Sequence, residues 1–409
     1  MGISLTASNP FRVLGTHRNF RFFWIGQTIS LVGTWMQSMA LGWLALELTN
    51  SALLVGLVAV ASSAPILLFS LYAGAYIDRS NKLALLRAMQ TLFLIEATLL
   101  WLLTWTGHIT IGWILGLALV GGTISAIEIP ARQSLVIDFV GREQLREAIA
   151  LNSSGFNIAR IVGPALAALV IAHFGIAWCF AINAVSFLTV LGGLARVSLP
   201  PSERVRQVTT LHQGVREVLG YVRTHRQVRA LVAVITVFSV LAVPVVSLMP
   251  VVARDLFHTG SGGYGGLLSA IGVGGMLAAL VIAGPGSHWR HGRVLARASH
   301  ASALLLVLLP FVRSWLIGWI VLFGVGFFFI ANNAASNTLL QILVPDELRG
   351  RMMSIYSLIV VGLAQVVGAS LGGLVAEWLG VGWAIGGAAA ILVIYLMLAF
   401  RRYPELREL

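Results

Sequence analysis

The chain has 409 residues, 58% of them hydrophobic and only 10% charged, with a net charge of +12. Water-soluble domains carry about 25% charged residues, so a soluble fold is excluded by the size of the charge-free core it would need. The lone Cys179 excludes an internal disulfide and a cysteine metal cluster.

Read in chain order, the apolar runs form twelve candidate membrane spans. Phe22–Leu46 carries Gln27, Trp35 and Gln37. Leu53–Ile77 leads into the loop sequence GAYIDRSNK. Leu83–Trp105 holds Glu96 near its middle, and Ile109–Pro130 holds Glu128, with Arg132 four residues on. Leu151–Ala172 contains Asn157 and Arg160, and Ile176–Ala195 contains Asn183. The second set is Val228–Ala253, Gly262–Ala283, Leu295–Val312, Trp315–Leu339, Met353–Ala376 and Val381–Phe400. Asn332, Asn333 and Asn337 cluster in the tenth span, and Gln365 lies in the eleventh. Most runs approach or exceed the ~20 residues a helix needs to cross the hydrocarbon core. A helix satisfies its own backbone polar groups, so the expected fold is all-α and polytopic.

The positive charge follows the loops. Of 27 Lys and Arg, only Arg254 and Arg313 fall in or beside odd-numbered loops, and Arg132 and Arg160 lie in or near spans. The other 23 sit at the termini or at the even-numbered loops. By the positive-inside rule both termini are cytoplasmic. The charge therefore reports topology, and no nucleic-acid partner is expected. Trp101, Trp105, Trp113, Trp178, Trp315, Trp319, Trp378 and Trp383 flank odd-numbered loops, as an aromatic belt at the outer interface would. The first apolar run is too long for a cleavable signal peptide and continues into further spans.

The sequence repeats at about half its length. VGPALAALVIAHFGIAW at Val162–Trp178 aligns with VGASLGGLVAEWLGVGW at Val367–Trp383, an offset of 205. Two six-helix halves related this way frame a site between them. The expected domains are residues 1–196 and 228–409, joined by a cytoplasmic linker, 197–227. In the linker, Thr210 and Gln213 can form a capping box. Leu211, Val215, Val218, Leu219 and Val222 share one helical face, which suggests an interfacial helix. It reads first as a tether between halves and second as a lipid or partner sensor.

GAYIDRSNK resembles the loop motif of the major facilitator superfamily through Gly74, Asp78, Arg79 and Lys82. Asn81 stands where a second glycine is usual. GQTISLVGTWMQSMALGWLALELTNSALLVG from Gly26, EIPARQSLV from Glu128 and PDELRGRMMS from Pro345 resemble the bacterial branch of enterobactin exporters and multidrug efflux proteins. The resemblance spans both halves. It implies twelve helices in two six-helix pseudo-repeats, and a gradient-driven carrier that rocks around a central cavity. GFNIARIVGPALAA resembles the antiporter motif at Gly155, Gly163 and Pro164, with Ala159, Ala167 and Ala168 replacing usual glycines. In that light, Asp78 and Arg79 can form an inner latch between halves. The plainer reading is a solvated loop pair contributing about 0–1 kcal/mol. His288 occupies the matching position in the second half, so the latch is asymmetric.

The embedded charges carry the chemistry. A lone carboxylate at the depth of Glu96 costs a few kcal/mol, so it must be protonated, paired or facing water. A proton carrier needs an acid that changes protonation during its cycle. Glu96 and Glu128 are the candidates, and the alternative for Glu96 is a structural hydrogen bond between helices. Glu128, Arg132 and Arg160 read either as a charge cluster for an anionic cargo or for protons, or as a brace of the inner gate. Gln27, Trp35, Gln37, Asn157, Asn332, Asn333 and Asn337 are cavity candidates, or polar glue between helices. The remaining wall is apolar and suits an amphipathic or aromatic cargo.

His288 and His291 sit in an Arg-rich loop and do not suggest a metal site. No Gly-rich phosphate loop or hydrolytic triad is visible, so neither cofactor nor enzyme activity is expected. The reading is a monomeric secondary transporter of a bacterial inner membrane. Its partners are the lipid bilayer, a drug-like or siderophore-like small molecule and protons, and its expected direction is export. Alternatives are metabolite uptake or facilitated diffusion, and a non-transporting receptor or assembly partner. A cysteine placed at Arg206, with Cys179 removed, is expected to stay unreactive to an impermeant maleimide in intact cells. Labelling from outside would invert the topology.

Overall fold

The computed structural model describes residues 11–77, 80–141, 143–197 and 211–409. Twelve helices are long and apolar enough to cross a membrane. In the first half they are α1 (Arg18–Thr49), α2 (Ala52–Ile77), α3 (Lys82–Trp105), α4 (Ile111–Val140), α5 (Leu145–Phe174) and α6 (Ala177–Ala195). In the second half they are α7 (Arg226–Ala242), α8 (Ser261–Ala283), α9 (His291–Leu308), α10 (Trp315–Leu343), α11 (Asp346–Leu379) and α12 (Val381–Arg402).

Local chemistry ends these helices where the sequence suggests. The Asn81 side chain accepts a bond from Ala84 N and caps α3, and Thr110 does the same for α4 through Trp113 N. Such caps satisfy amides that have no partner inside the helix. Gly175 and Gly380, both in the repeated stretch, end α5 and α11 at φ 91° and 88°, where a side chain would be strained. The repeat thus conserves a turn as well as a span.

Several helices run further than hydropathy alone indicates. α4 continues through Pro130 to Val140, α5 begins at Leu145, and α11 begins at Asp346. These extensions carry Arg132, Arg146 and Arg349, and helices can project past the apolar layer into water. The seventh span is not continuous. α7 stops at Ala242, a tight turn covers Val243–Val245, and a short helix resumes at Met249–Asp255. Pro244 and Pro250 lack the amide hydrogen that would carry the ladder through. In α11, residues Leu358–Gly368 wind as a π-helix.

Within each half the same helices pair. α1 packs on α5 and α6, α2 on α4, and α3 on α4 and α6; α7 packs on α11 and α12, α8 on α10, and α9 on α10 and α12. The halves meet through α2 against α11 and α5 against α8, which are equivalent pairs once the halves are exchanged. The closest approaches are equivalent too. A Cβ added at Gly56 would lie 2.5 Å from the Ala369 carbonyl, and one at Gly265 would lie 2.7 Å from the Pro164 carbonyl. Glycine at both positions lets backbone meet backbone across the seam, as small residues do in membrane helix pairs.

We call the end bearing the odd-numbered loops the outer end. Exposed Trp105, Trp113, Trp178, Trp378 and Trp383 all lie there. So do most bonds between halves. Ser51 Oγ and Leu53 N both donate to Glu377 Oε2, at 3.0 and 3.1 Å, and Arg254 donates to Asn50 Oδ1. Trp43 stacks on Tyr264 with ring centroids 5.8 Å apart. Among the described residues, the other hydrogen bond across the seam is Ser269 Oγ to the Ile161 carbonyl, 3.2 Å, at mid-depth. The cleft between halves is closed at its outer end.

The linker helix, Leu211–Thr224, lies on the second half. Val218 is buried, the Tyr221 hydroxyl donates to the Leu343 carbonyl at 3.0 Å, and Glu217 pairs with Arg351. Leu219, expected on the apolar face, is exposed, because the contact is made by a narrower stripe centred on Val218 and Tyr221. Thr210 of the expected capping box lies outside the described residues.

Glu377 both accepts from the first turn of α2 and holds Ser51, a capping arrangement worth about 1 kcal/mol. Glu377→Ala is therefore expected to shift the closed-to-open ratio of the outer end about five-fold. Spin-label distances between Gly107 and Arg313 would report it. An unchanged distance distribution would make the contact incidental.

Candidate functional site

The buried polar groups of the first half form two separate sets. In the deeper one, Glu96 of α3 is 3% exposed, and the Gln37 amide of α1 donates to its two oxygens at 3.1 and 3.0 Å. Asn183 Nδ2 of α6 donates to Gln37 Oε1 at 2.8 Å, and Ser186 Oγ donates to Asn183 Oδ1 at 3.0 Å. Gly121 of α4 backs the carboxyl, since a Cβ there would lie 3.6 Å from Glu96 Oε1. Three helices are tied together by one acid and two amides. Asn183 fixes the carbonyl end of Gln37, so only the amino end faces Glu96. In that arrangement both carboxyl oxygens of Glu96 serve as acceptors. A protonated Glu96 would need an acceptor, and Gln37 can supply one only by turning its amide over and giving up Asn183.

The second set lies toward the inner end. Arg132 Nε donates to Glu128 Oε1 at 2.9 Å, one helical turn along α4, and Gln90 Nε2 of α3 donates to the same oxygen at 3.2 Å. Gln90 is 1% exposed and was not singled out in the sequence reading. Its place on the α3 stripe Leu86, Gln90, Ala97, all buried, is the signal that could have found it. The structure brings Glu128 and Arg132 together. Arg160 makes no bond to either.

Arg160 lies instead at the seam. A Cβ added at Gly275 of α8 would lie 2.6 Å from its Nη2. Gly163, a turn away on α5, would put a Cβ 2.5 Å from the Trp35 side chain, and Gly155 would put one 2.9 Å from Thr28 Oγ1. The antiporter-like glycines therefore pack α5 closely on α1, with Pro164 buried beside them. Trp35 meets Phe156 edge to face at 5.7 Å. Gln27 is buried with Oε1 unpartnered.

The asparagines divide. Asn332 is turned toward α9, donating to Ser299 Oγ at 2.8 Å. Asn333 is partly exposed, and its carbonyl accepts from Tyr356 Oη at 3.2 Å. Asn337 Oδ1 accepts from Gln341 at 2.5 Å, and Asn157 Nδ2 donates to the Ser153 carbonyl at 2.8 Å. Gln365 accepts from Ser247 Oγ at 2.6 Å, joining the π-helical part of α11 to the broken seventh span. Of the loop motif, Asp78 and Arg79 lie outside the described residues, and Gly74 falls in the last turn of α2. Lys82 pairs with Asp138 at the inner end of α4, 2.9 Å away. Among the described residues no three His, Cys, Asp or Glu side chains converge as metal ligands.

Two related six-helix halves that meet at a seam, with paired acids inside the first half and Arg160 at the seam, have the architecture of a membrane transporter. The profile of the transmembrane secretion effector family matches residues 6–408. The chain belongs to this family, within the major facilitator superfamily. It is 25% identical to the enterobactin exporter EntS of Escherichia coli over 96% of this chain and 95% of that protein. It is 27% identical to the staphyloferrin A transporter of Staphylococcus aureus over 64% of this chain and 66% of that protein. Among solved structures, a mutant of the nucleoside transporter NupG superposes with a TM-score of 0.75 at 13% identity, covering 96% of this chain and all of that one. A bacterial homologue of the human lysosomal transporter Spinster, inward-facing and occupied, gives 0.71 at 13% identity, over 98% of both chains. These two share the fold.

Gln37→Leu strands Glu96 without a donor. The expected loss is about 1–3 kcal/mol of stability, read by thermal unfolding in detergent. Adding Glu96→Leu should return part of that loss, because the two groups form one network. Strictly additive losses would mean that the pair does not interact.

Proposed function

We propose that this protein is a proton-driven exporter of an amphipathic, siderophore-like or drug-like small molecule, working by alternating access across a bacterial inner membrane. The observation that carries the coupling is the sealed Glu96–Gln37–Asn183 chain. An acid deep in the first half is held by a single amide, and that amide must reverse when the acid takes up a proton. A change of protonation at Glu96 is thereby linked to the packing of α1, α3 and α6. The relation to an enterobactin exporter along nearly the whole chain supports export and a siderophore-like cargo.

Residues 1–196 and 228–409 act in this reading as two lobes that rock on the α2–α11 and α5–α8 seams, tethered by 197–227. The outer bonds of Glu377 and Asn50 close one end. Asp78 and Arg79 serve the opposite, inner latch, with Lys82 and Asp138 joining α3 to α4 beside it. Glu128, paired with Arg132 and Gln90, is the second acid through which a proton can pass. The Glu128–Arg132 pair also braces the inner ends of α3 and α4. Both termini face the cytoplasm, and one chain suffices for the path. The drive is adequate, since one charge moved through 100 mV is worth about 2.3 kcal/mol, or roughly a fifty-fold cargo gradient.

The test is flux from proteoliposomes under an imposed pH gradient, with a cargo first chosen by thermal-shift screening and protons followed with an entrapped pH dye. Glu96→Gln is expected to abolish gradient-driven export while leaving downhill exchange, which need not move a proton. Glu128→Gln should reduce the driven rate. Full gradient-driven export by the double variant would remove both acids from the mechanism.

A further inference from the structure

Among the described residues, Arg160 is a cation within a span that leaves two buried nitrogens without a partner. Arg160 sits at the middle of α5, where the first half meets α8 of the second. Its Nε and Nη2 are shut off from water and have no hydrogen-bond partner. The guanidinium reaches across the seam: a Cβ at Gly275 would lie 2.6 Å from Nη2 and 2.8 Å from Ile330 Cγ1 of α10. The position is therefore crowded by small and apolar groups from the opposite half, with no acid among them. The two buried acids of the first-half spans are committed elsewhere, Glu96 to Gln37 and Glu128 to Arg132 and Gln90. Among the described residues no carboxylate pairs with Arg160 through an ion pair.

A guanidinium with two of its nitrogens shut off from water and no counter-charge in contact carries a burial cost. Ionisable groups at this depth mark cargo and ion paths. The planar fork of Arg matches two oxygens held in one plane, as in a carboxylate or catecholate. One turn along α5 the wall becomes aromatic, with exposed Phe156 meeting Trp35 edge to face. Arg160, Phe156 and Trp35 thus place a fixed positive charge next to a π surface, at a seam that both halves share.

We infer that Arg160 anchors the anionic oxygen pair of the cargo, and that the protein selects amphipathic anions with an aromatic or apolar body over cations of the same shape. The inference rests on the transporter reading above and narrows its cargo. The cargo is the counter-ion that completes the charge pair of Arg160, at the place where α5 meets α8.

The test uses three probes of one shape and different charge: naphthoate, naphthamide and naphthylmethylammonium. Binding to the purified full chain is measured by calorimetry in detergent. The unaltered protein is expected to prefer naphthoate over naphthamide by roughly ten-fold or more, the scale of a charged hydrogen bond. Naphthylmethylammonium should bind more weakly than naphthamide. Arg160→Gln should erase the preference, and Arg160→Lys should keep part of it, since the charge stays and the fork is lost. Arg160→Gln should also raise the melting temperature of the cargo-free protein, because it removes an unmatched buried charge. Lack of anion preference in the unaltered protein, or its survival in Arg160→Gln, overturns the inference. So does a lower melting temperature of Arg160→Gln, which would make Arg160 a structural brace. Flux in everted vesicles separates this from the export reading. Uptake without export would sink the export reading and leave anion selection standing. Active export by a protein that shows no anion preference would do the reverse.

Discussion

Hydrocarbon cannot solvate a polar group, and the arrangement of this protein depends on that constraint. Each amide and carbonyl in a span must be satisfied by its own helix. Each polar side chain must find a partner, reach water or face the seam. The spans sort their side chains accordingly. Asn332 turns to Ser299, Gln365 to Ser247, and Glu96 to Gln37. These bonds join neighbouring helices inside one half and leave the lipid-facing surface apolar. Arg160 at the seam keeps two buried nitrogens without a partner.

The same constraint shapes how the halves meet. Between apolar helices there is little hydrophobic drive in a bilayer, so close packing has to hold them. Gly56 against Ala369 and Gly265 against Pro164 bring backbones together at symmetry-related points. Elsewhere on the same seam side chains enter glycine positions of the opposite half, Ile161 at Gly272, Arg160 at Gly275 and Leu67 at Gly362. The specific bonds sit beyond, at the outer end, where Glu377 and Asn50 reach across.

The interior of the first half has a different character. Gln37 and Asn183 form a directional chain whose amide orientations are interdependent. The glycines of α5 press that helix onto α1, the helix that carries both Trp35 and Gln37. The seam and the buried acid therefore share one element, α1.

Much of the fold was legible in the sequence because its causes are local. Span length, loop charge and the Trp belt are sums over neighbouring residues, and each recurs in the structure. The repeat around Gly175 and Gly380 was visible as letters, and the structure gives it meaning as matching positive-φ helix ends. Prolines 244 and 250 were equally visible, yet the break in the seventh span was not read from them, since proline inside a membrane helix is often tolerated. The site was legible only as candidates. Glu128 and Arg132 are one turn apart on a single helix, so their pairing could be anticipated from spacing. That Glu96 meets Gln37, that Gln90 joins Glu128, and that Arg160 stands apart from both acids could not. The two pairings join residues 59 and 38 positions apart. The sequence by itself determined a twelve-helix membrane transporter built of two related halves, because hydropathy, charge and repetition are written along the chain. Only the tertiary structure decided which polar side chains are spent on holding helices together and which are left facing the seam, because that depends on how each helix is turned against its neighbours.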